Sequence, residues 1–214
     1  MRLGGPATPL HPGRESVRGA ARVLTSALRG DPGFGHVLPE PPARRRALDA
    51  IHRVSLTDGL RHGHVLAVHD DAGVAGVSVW YPPGAYPMSV VRKLRTIAPL
   101  VPVALRHPVR TIGLARFGSA VEGGLREAVP AGGAWYLEVL GVRPDAQRRG
   151  HGRTLVTPVL AHADRTGTPC YLETSREENV RYYESFGFRA VGEVPALRAD
   201  GPVETQMLRT PRRD

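Results

Sequence analysis

Gln147-Arg148-Arg149-Gly150-His151-Gly152-Arg153-Thr154 is the stretch that decides how this chain reads. A continuous strand pattern, Trp135–Val142, runs into it through Arg143-Pro144-Asp145-Ala146, and a helical pattern over Arg149–Gly167 follows. A glycine-rich loop at a helix N-terminus offers unpaired backbone N–H groups and the positive end of the helix dipole, which together suit a phosphate. Gly150 and Gly152 carry no side chain to keep a pyrophosphate off that backbone. Arg148, Arg149 and Arg153 add charge and Thr154 a hydroxyl; from Arg143 to Arg153 four arginines stand against one acid, Asp145. A lone G-x-G is as easily a plain strand–helix turn. The longer pattern Val142-x-Pro144-x-x-Gln147-x-x-Gly150-x-Gly152 is more specific. It has neither the Gly-Lys-Ser/Thr ending of a P-loop nor the G-x-G-x-x-G with a distant acid of a dinucleotide fold.

Downstream, Cys170–Thr174 reads as a short strand and Glu177–Phe186 as a helix. Phe188–Val194 and Val203–Arg209 read as strands, joined by a turn at Ala199-Asp200-Gly201-Pro202. Pro158 inside the preceding helix predicts a kink or a local break. Strand–helix–strand–helix–strand–strand indicates an α/β sheet, parallel in part and antiparallel at its end.

Upstream, Val17, Ala21, Leu24 and Leu28 recur at helical spacing over Glu15–Arg29, and Gly30-Asp31-Pro32 stops the pattern. Pro42–Leu60 gives a second helix, with Ala47, Ile51 and Val54 on one face. His64–His69 and Val74–Tyr81 form a hairpin around Asp70-Asp71-Ala72-Gly73. Residues 1–14 read as an irregular arm with a short strand near Arg2–Thr8. Within 85–133, Ser89–Thr96 and Pro108–Gly118 read as helices broken by prolines. Six basic residues and no acid lie between Pro82 and Val121. This helical insert either covers the sheet or forms a lid over a substrate pocket.

At 214 residues, 41% hydrophobic and 23% charged, the chain has the composition of one folded domain. No apolar run is long enough to span a bilayer, and the N-terminus lacks the apolar centre of a signal peptide. The single cysteine, Cys170, leaves no disulfide framework or cysteine-rich zinc site. A cytoplasmic, reducing location, no metal and no membrane partner are the expectations. The formal charge of +9 comes almost wholly from arginines spread along the chain, Lys93 being the one lysine. An anionic cofactor accounts for local positive charge more economically than a nucleic acid.

The loop resembles the acetyl-CoA-binding motif of the GNAT superfamily, Q/R-x-x-G-x-G/A. The later segment Asn179-Val180-Arg181-Tyr182-Tyr183-Glu184-Ser185-Phe186-Gly187-Phe188 is similar to the family's N…Y-E-x-x-G-F. Leu172-Glu173-Thr174-Ser175 and the Pro202–Met207 ending resemble the branch that contains puromycin N-acetyltransferase. The likeness is strong over 134–209 and weaker over 15–84, where Asp31-Pro32 and Val79–Gly84 carry it. Arg148 departs from the pattern, since relatives often have glycine there; its side chain is expected to point outward.

The resemblance implies a GNAT fold: a central mixed α/β sheet, mostly antiparallel, with one splayed parallel strand pair and helices on both faces. It implies acetyl-CoA as co-substrate and direct transfer of acetyl to an amine. Backbone groups of Leu140, Gly141 and Val142 would pair with the pantetheine arm as an added strand does. Gln147, Arg148, Arg149, Gly150, His151, Gly152, Arg153 and Thr154 would hold the pyrophosphate. Asn179 would bond the cofactor or the splayed backbone, with a helix cap as its plainer role. Tyr183 matches the family tyrosine near the sulfur and would be the acid, against the alternative of a core aromatic beside Phe186.

Glu138 is the first candidate for the base. A carboxylate within an apolar strand is costly unless paired or open to a cleft, and desolvation raises its pKa toward useful values. Glu173 is the second candidate, and a water chain a third route. His64 and His69 read as ordinary histidines. The leading expectation is a small-molecule amine acceptor. A peptide or protein amine, and a CoA-binding protein without catalysis, are the alternatives. An exposed final strand would support a homodimer.

Overall fold

Two long, largely apolar strands, Gly73–Tyr81 and Trp135–Val142, form the centre of the molecule. Residues 6–37, 43–97, 101–106, 108–194 and 201–212 are described by a computed structural model. The chain order is β1 (Thr8–Pro9), α1 (Arg14–Ala27), α2 (Pro32–Val37), α3 (Ala43–His62), β2 (His64–Asp70) and β3 (Gly73–Tyr81). The insert follows as α4 (Val90–Ile97), α5 (Val101–Arg106) and α6 (Pro108–Ala128). Then come β4 (Trp135–Val142), α7 (His151–Thr166), β5 (Cys170–Thr174), α8 (Glu177–Glu184), β6 (Arg189–Val194) and β7 (Glu204–Arg209). The seven strands lie side by side as β1-β2-β3-β4-β5-β7-β6, antiparallel throughout except for the parallel pair β4–β5.

Away from the bulges, side chains alternate across the sheet, as period 2 requires. Val79, Tyr81, Tyr136 and Tyr171 enter a core shared with α1, α3 and α6. Trp80, Trp135, Leu137, Cys170 and Leu172 enter the other, shared with α7 and α8. These two layers are called the α1 face and the α7 face below.

Several expectations are revised. Pro32 does not simply end α1: Asp31 Oδ1 accepts the Phe34 N–H at 3.2 Å and caps a new short helix that starts at the proline. The helix α6 runs on well past Gly118 to Ala128. Pro158 does not interrupt α7, because it sits on the exposed side, where water can serve the carbonyl its missing N–H leaves free. The final strand is not an exposed edge. β7 lies between β5 and β6, so the edge on that side is β6, and the dimer expectation loses its stated basis. Of the expected first strand, only the end near Thr8 lies among the described residues, and the first half of the 199–202 turn lies outside them. No described helix is long and apolar enough to cross a membrane.

The insert is tied to α3 by a buried ion pair. Arg92 Nε donates to Asp58 Oδ1 at 2.7 Å, and a second guanidinium nitrogen donates to Asp58 Oδ2. The Tyr81 hydroxyl donates to that same carboxylate at 2.7 Å, and Arg92 lies over the Tyr81 ring. Lys93 pairs with Glu122 and so links α4 to α6.

Candidate active site

Glu138 owes its position to a break in register. β3 and β4 pair Val79 with Val139 and then Trp80 with Leu137, so Glu138 is the extra, unmatched residue of a bulge. A bulge re-aims a side chain without ending the strand. On the other edge of β4, the parallel pairing with β5 stops after Trp135–Cys170 and Tyr136–Tyr171. Beyond that point the two strands separate. A cavity of about 250 Å³ occupies the opening, with Glu138 and Leu140 on one side and Glu173 and Thr174 on the other.

On the α1 face, the Ser55 hydroxyl of α3 donates to Glu138 Oε2. Burial pushes the Glu138 carboxyl up to about 7, opposed in part by that hydrogen bond. Glu173 is likewise raised to about 7 by burial, and its Oε1 has no hydrogen-bond partner. Glu204 of β7 lines the same space, raised to about 8 by burial and then by the nearby Asp31 and Glu173 charges. His52 of α3, only 1% exposed, completes this wall. Its Nδ1 meets the Thr25 hydroxyl at 3.1 Å, its Nε2 has no partner, and burial lowers its pKa to about 4, so the ring is neutral. Sequence reading missed Glu204, Asp31 and His52 as site residues. His52 lies on α3 next to Ile51, a residue already placed on that helix's apolar face, but helical spacing does not separate a packed histidine from one facing a cavity.

From the α7 face, Tyr183 of α8 reaches the same cavity. It is 7% exposed, its ring packs edge-on against Tyr182 and Phe188, and burial drives its hydroxyl pKa well upward. Asn179 also lines the cavity, and its Nδ2 donates to Thr174 Oγ1 at 3.0 Å, holding the end of β5. It is not the cap of α8; Arg176 occupies that position. Thus Glu138, Glu173, Asn179 and Tyr183, drawn from three elements, share one cavity. His64 packs on Trp135 and His69 is exposed, both away from it.

The loop 147–154 stands at the end of the same strand. Gly150 adopts φ 87°, in the left-handed region, with open space around it, and Arg148 takes φ 60°. That conformation explains a glycine preference at position 148. Residues 147–150 are exposed, with Arg148 and Arg149 both open to solvent. Gln147 donates through Nε2 to the Val142 carbonyl at 3.1 Å and closes the loop on β4. Arg153 is exposed and lies over the Phe186 ring, 4.5 Å from its centre. Gly152 faces the Tyr182 hydroxyl, which would stand 2.6 Å from an added Cβ. Three members are less available than expected. Arg143 is engaged with Asp70 and Asp145. His151 is buried, and the Thr154 hydroxyl donates to the Gly150 carbonyl at 3.2 Å. Along the adjoining edge, Leu140, Gly141 and Val142 pair with β3 on one side and have no β5 partner on the other.

A split parallel pair, a glycine-rich loop at a helix start, and a carboxylate and a tyrosine lining one cavity make up the candidate site. Residues 40–188 match the pattern of the acetyltransferase (GNAT) family, and the chain belongs to that family. A 55-residue stretch is 42% identical to an uncharacterised N-acetyltransferase of Schizosaccharomyces pombe; it spans 26% of this chain and 22% of that protein. In structure, the chain resembles a Corynebacterium glutamicum protein described as histone acetyltransferase HPA2 and related acetyltransferase. The TM-score is 0.68 at 20% identity, over 99% of each chain. It also resembles arylalkylamine N-acetyltransferase 2 from Aedes aegypti, at TM-score 0.58 and 12% identity, over 96% of this chain and 98% of that one. At these identities the likeness concerns the fold alone.

Proposed function

We propose that this protein transfers an acetyl group from acetyl-CoA to a primary amine of a small molecule by direct attack. The observation that carries this reading is that Glu138 and Tyr183 meet one cavity from opposite faces of the sheet, at the point where β4 and β5 separate.

The residues present suit acetyl-CoA. The β4 edge from Leu140 to Val142 has backbone groups without a strand partner, and the exposed Arg148 and Arg149 flank a left-handed Gly150 at the start of α7. Acetyl-CoA supplies the thioester acetyl group and the thiol leaving group. Glu138, with its pKa near neutrality, takes the proton that the acceptor ammonium must lose before its nitrogen can attack. Tyr183 keeps its proton at all ordinary pH values and presents it at the opening, where the departing sulfur needs one. One N–C bond forms and one C–S bond breaks. The nitrogen loses its first proton to Glu138 before attack; its second, lost as the tetrahedral adduct collapses, replaces the proton that Tyr183 gives to sulfur.

Phe34 of α2 and Val121 of α6 wall the acceptor side of the cavity. That enclosure favours a small molecule over a folded protein. The coincidence of both glutamates with Tyr183 favours an enzyme over a non-catalytic CoA binder. The test is a thiol-release assay with acetyl-CoA against a panel of amines and peptides, alongside calorimetry with acetyl-CoA. Turnover with small amines is the expected result; absence of acetyl-CoA binding overturns the reading.

A further inference from the structure

The cavity holds more carboxyl groups than acetyl transfer to a simple amine requires. Asp31, Glu138, Glu173 and Glu204 all line it, and among the described residues its lining contains no lysine or arginine. Glu138 and Glu173 serve as base candidates, but Glu204 and Asp31 lie on the far side, toward β7 and α2. Glu173 pairs with Gln206, so Glu204, two residues on, shares its face of the sheet. β5 lies between β4 and β7, so Glu138 and Glu204 stand on strands two places apart in the sheet.

Three further observations point to a ligand at that far end. His52 is 1% exposed, lines the cavity and leaves Nε2 without a partner. Glu173 Oε1 is buried and unpartnered as well. Gly33, also in the wall, lets two carboxylates crowd one spot: a Cβ there would stand 2.6 Å from Glu204 Oε1 and 3.2 Å from Asp31 Oδ1. Buried carboxylates with no basic partner are costly, and a cation relieves that cost. Arg176 pairs with Asp31, its Nε 3.9 Å from Oδ2, but from a partly exposed position outside the cavity lining. The aromatic faces of Tyr86, Tyr136 and Phe34 suit the methylene chain and a flanking ammonium.

From this arrangement we infer that the acceptor is a linear molecule with two ammonium groups, one presented to Glu138 for acetylation and the other held by Glu204 and Asp31. The inference rests on the acetyl-transfer reading above and names its substrate class. A single ammonium at Glu138 leaves the Glu204 end without a counter-charge. A second one several methylenes away fills it. The product is a mono-acetylated diamine with one remaining positive charge, together with the free thiol. The raised pKa of Glu204 fits a carboxylate that waits for a cation, and binding should expel protons near neutral pH.

The test compares thiol release for diaminobutane, diaminopentane and diaminohexane with release for monoamines of equal length. It adds calorimetric titration of the same diamines, and both measurements are repeated on Glu204→Gln. The expected result is a diamine kcat/KM at least about tenfold above that of the matched monoamine, as a charged hydrogen bond provides. Glu204→Gln should lower the diamine value by a similar factor more than it lowers the monoamine value. Glu204→Asp, which keeps the charge, should retain part of the preference and controls for folding. Equal turnover of diamines and monoamines by the wild-type protein overturns the inference and leaves acetyl transfer standing. If no amine releases thiol, the transfer reading falls. Diamine binding that is lost in Glu204→Gln then still supports the charged subsite, and absent binding overturns it too.

Discussion

The Ser55 hydroxyl and the Glu138 carboxylate, from α3 and from the bulge in β4, are joined by a direct hydrogen bond. That bond fixes which way the carboxylate faces. It also opposes the burial that raises the Glu138 pKa to about 7, because a donor to a carboxylate favours its charged form. The candidate base is therefore held near the pH at which a base is most useful.

If Glu138 accepts the proton, activity requires it ionised. The kcat/KM of the wild-type protein should rise with pH through about 7 and then level. Glu138→Gln should cut kcat by about a hundredfold or more and abolish that limb. A full pH–rate profile of both proteins checks this, and an unchanged limb in the variant would assign the base elsewhere.

Ser55→Ala removes the donor that favours the carboxylate. The Glu138 pKa should then climb, moving the acid limb to higher pH while the plateau is reached at alkaline pH. A shift to lower pH would contradict the hydrogen bond's role.

Tyr183→Phe keeps the ring contacts with Tyr182 and Phe188 and removes only the hydroxyl. Turnover should drop by about tenfold or more, with little change in acetyl-CoA affinity by calorimetry. Equal turnover would leave Tyr183 as a packing residue.

Asp58→Ala takes away the carboxylate that receives Arg92 and Tyr81 beneath the insert. Breaking a buried ion pair from one side costs about 3 kcal/mol or more. Denaturant unfolding should register that loss. Pairing the change with Arg92→Met should recover part of it, since the second charge is then no longer buried without its partner.

Glu204 offers a stability test that does not depend on activity. Its folded pKa of about 8 lies above the ordinary 4.5, so between those values the folded state holds more protons than the unfolded one. Stability contributed by this group therefore falls as pH rises through that window, and the penalty is complete above about pH 8. Glu204→Gln should raise Tm by several degrees at pH 9, at roughly 2–4 °C per kcal/mol, with little gain near pH 4.5. A thermal-shift series over pH checks the sign.

Local pattern carried much of the architecture. The strands at Trp135–Val142 and Cys170–Thr174 match the sequence reading to the residue, because apolar runs bounded by Gly, Pro and Asp leave little choice of ends. α2 escaped it because Pro32-Gly33 looks like a stop, and only the Asp31 cap turns it into a start.

The sequence by itself singled out the glycine-rich loop at 147–154 and the odd carboxylate at 138, each a departure from plain packing chemistry visible at short range, and Tyr183 through the resemblance of its segment to the family's. Tertiary structure alone decided that Glu138 sits in a bulge, that the parallel pair opens after Tyr136, and that His52, Glu204 and Asp31 face the same space. Register and strand order follow from pairing between distant segments, and a bulge turns a side chain without leaving any mark in the period-2 pattern. The loop is legible from its own residues; only the fold brings four carboxyl groups and a tyrosine to one cavity.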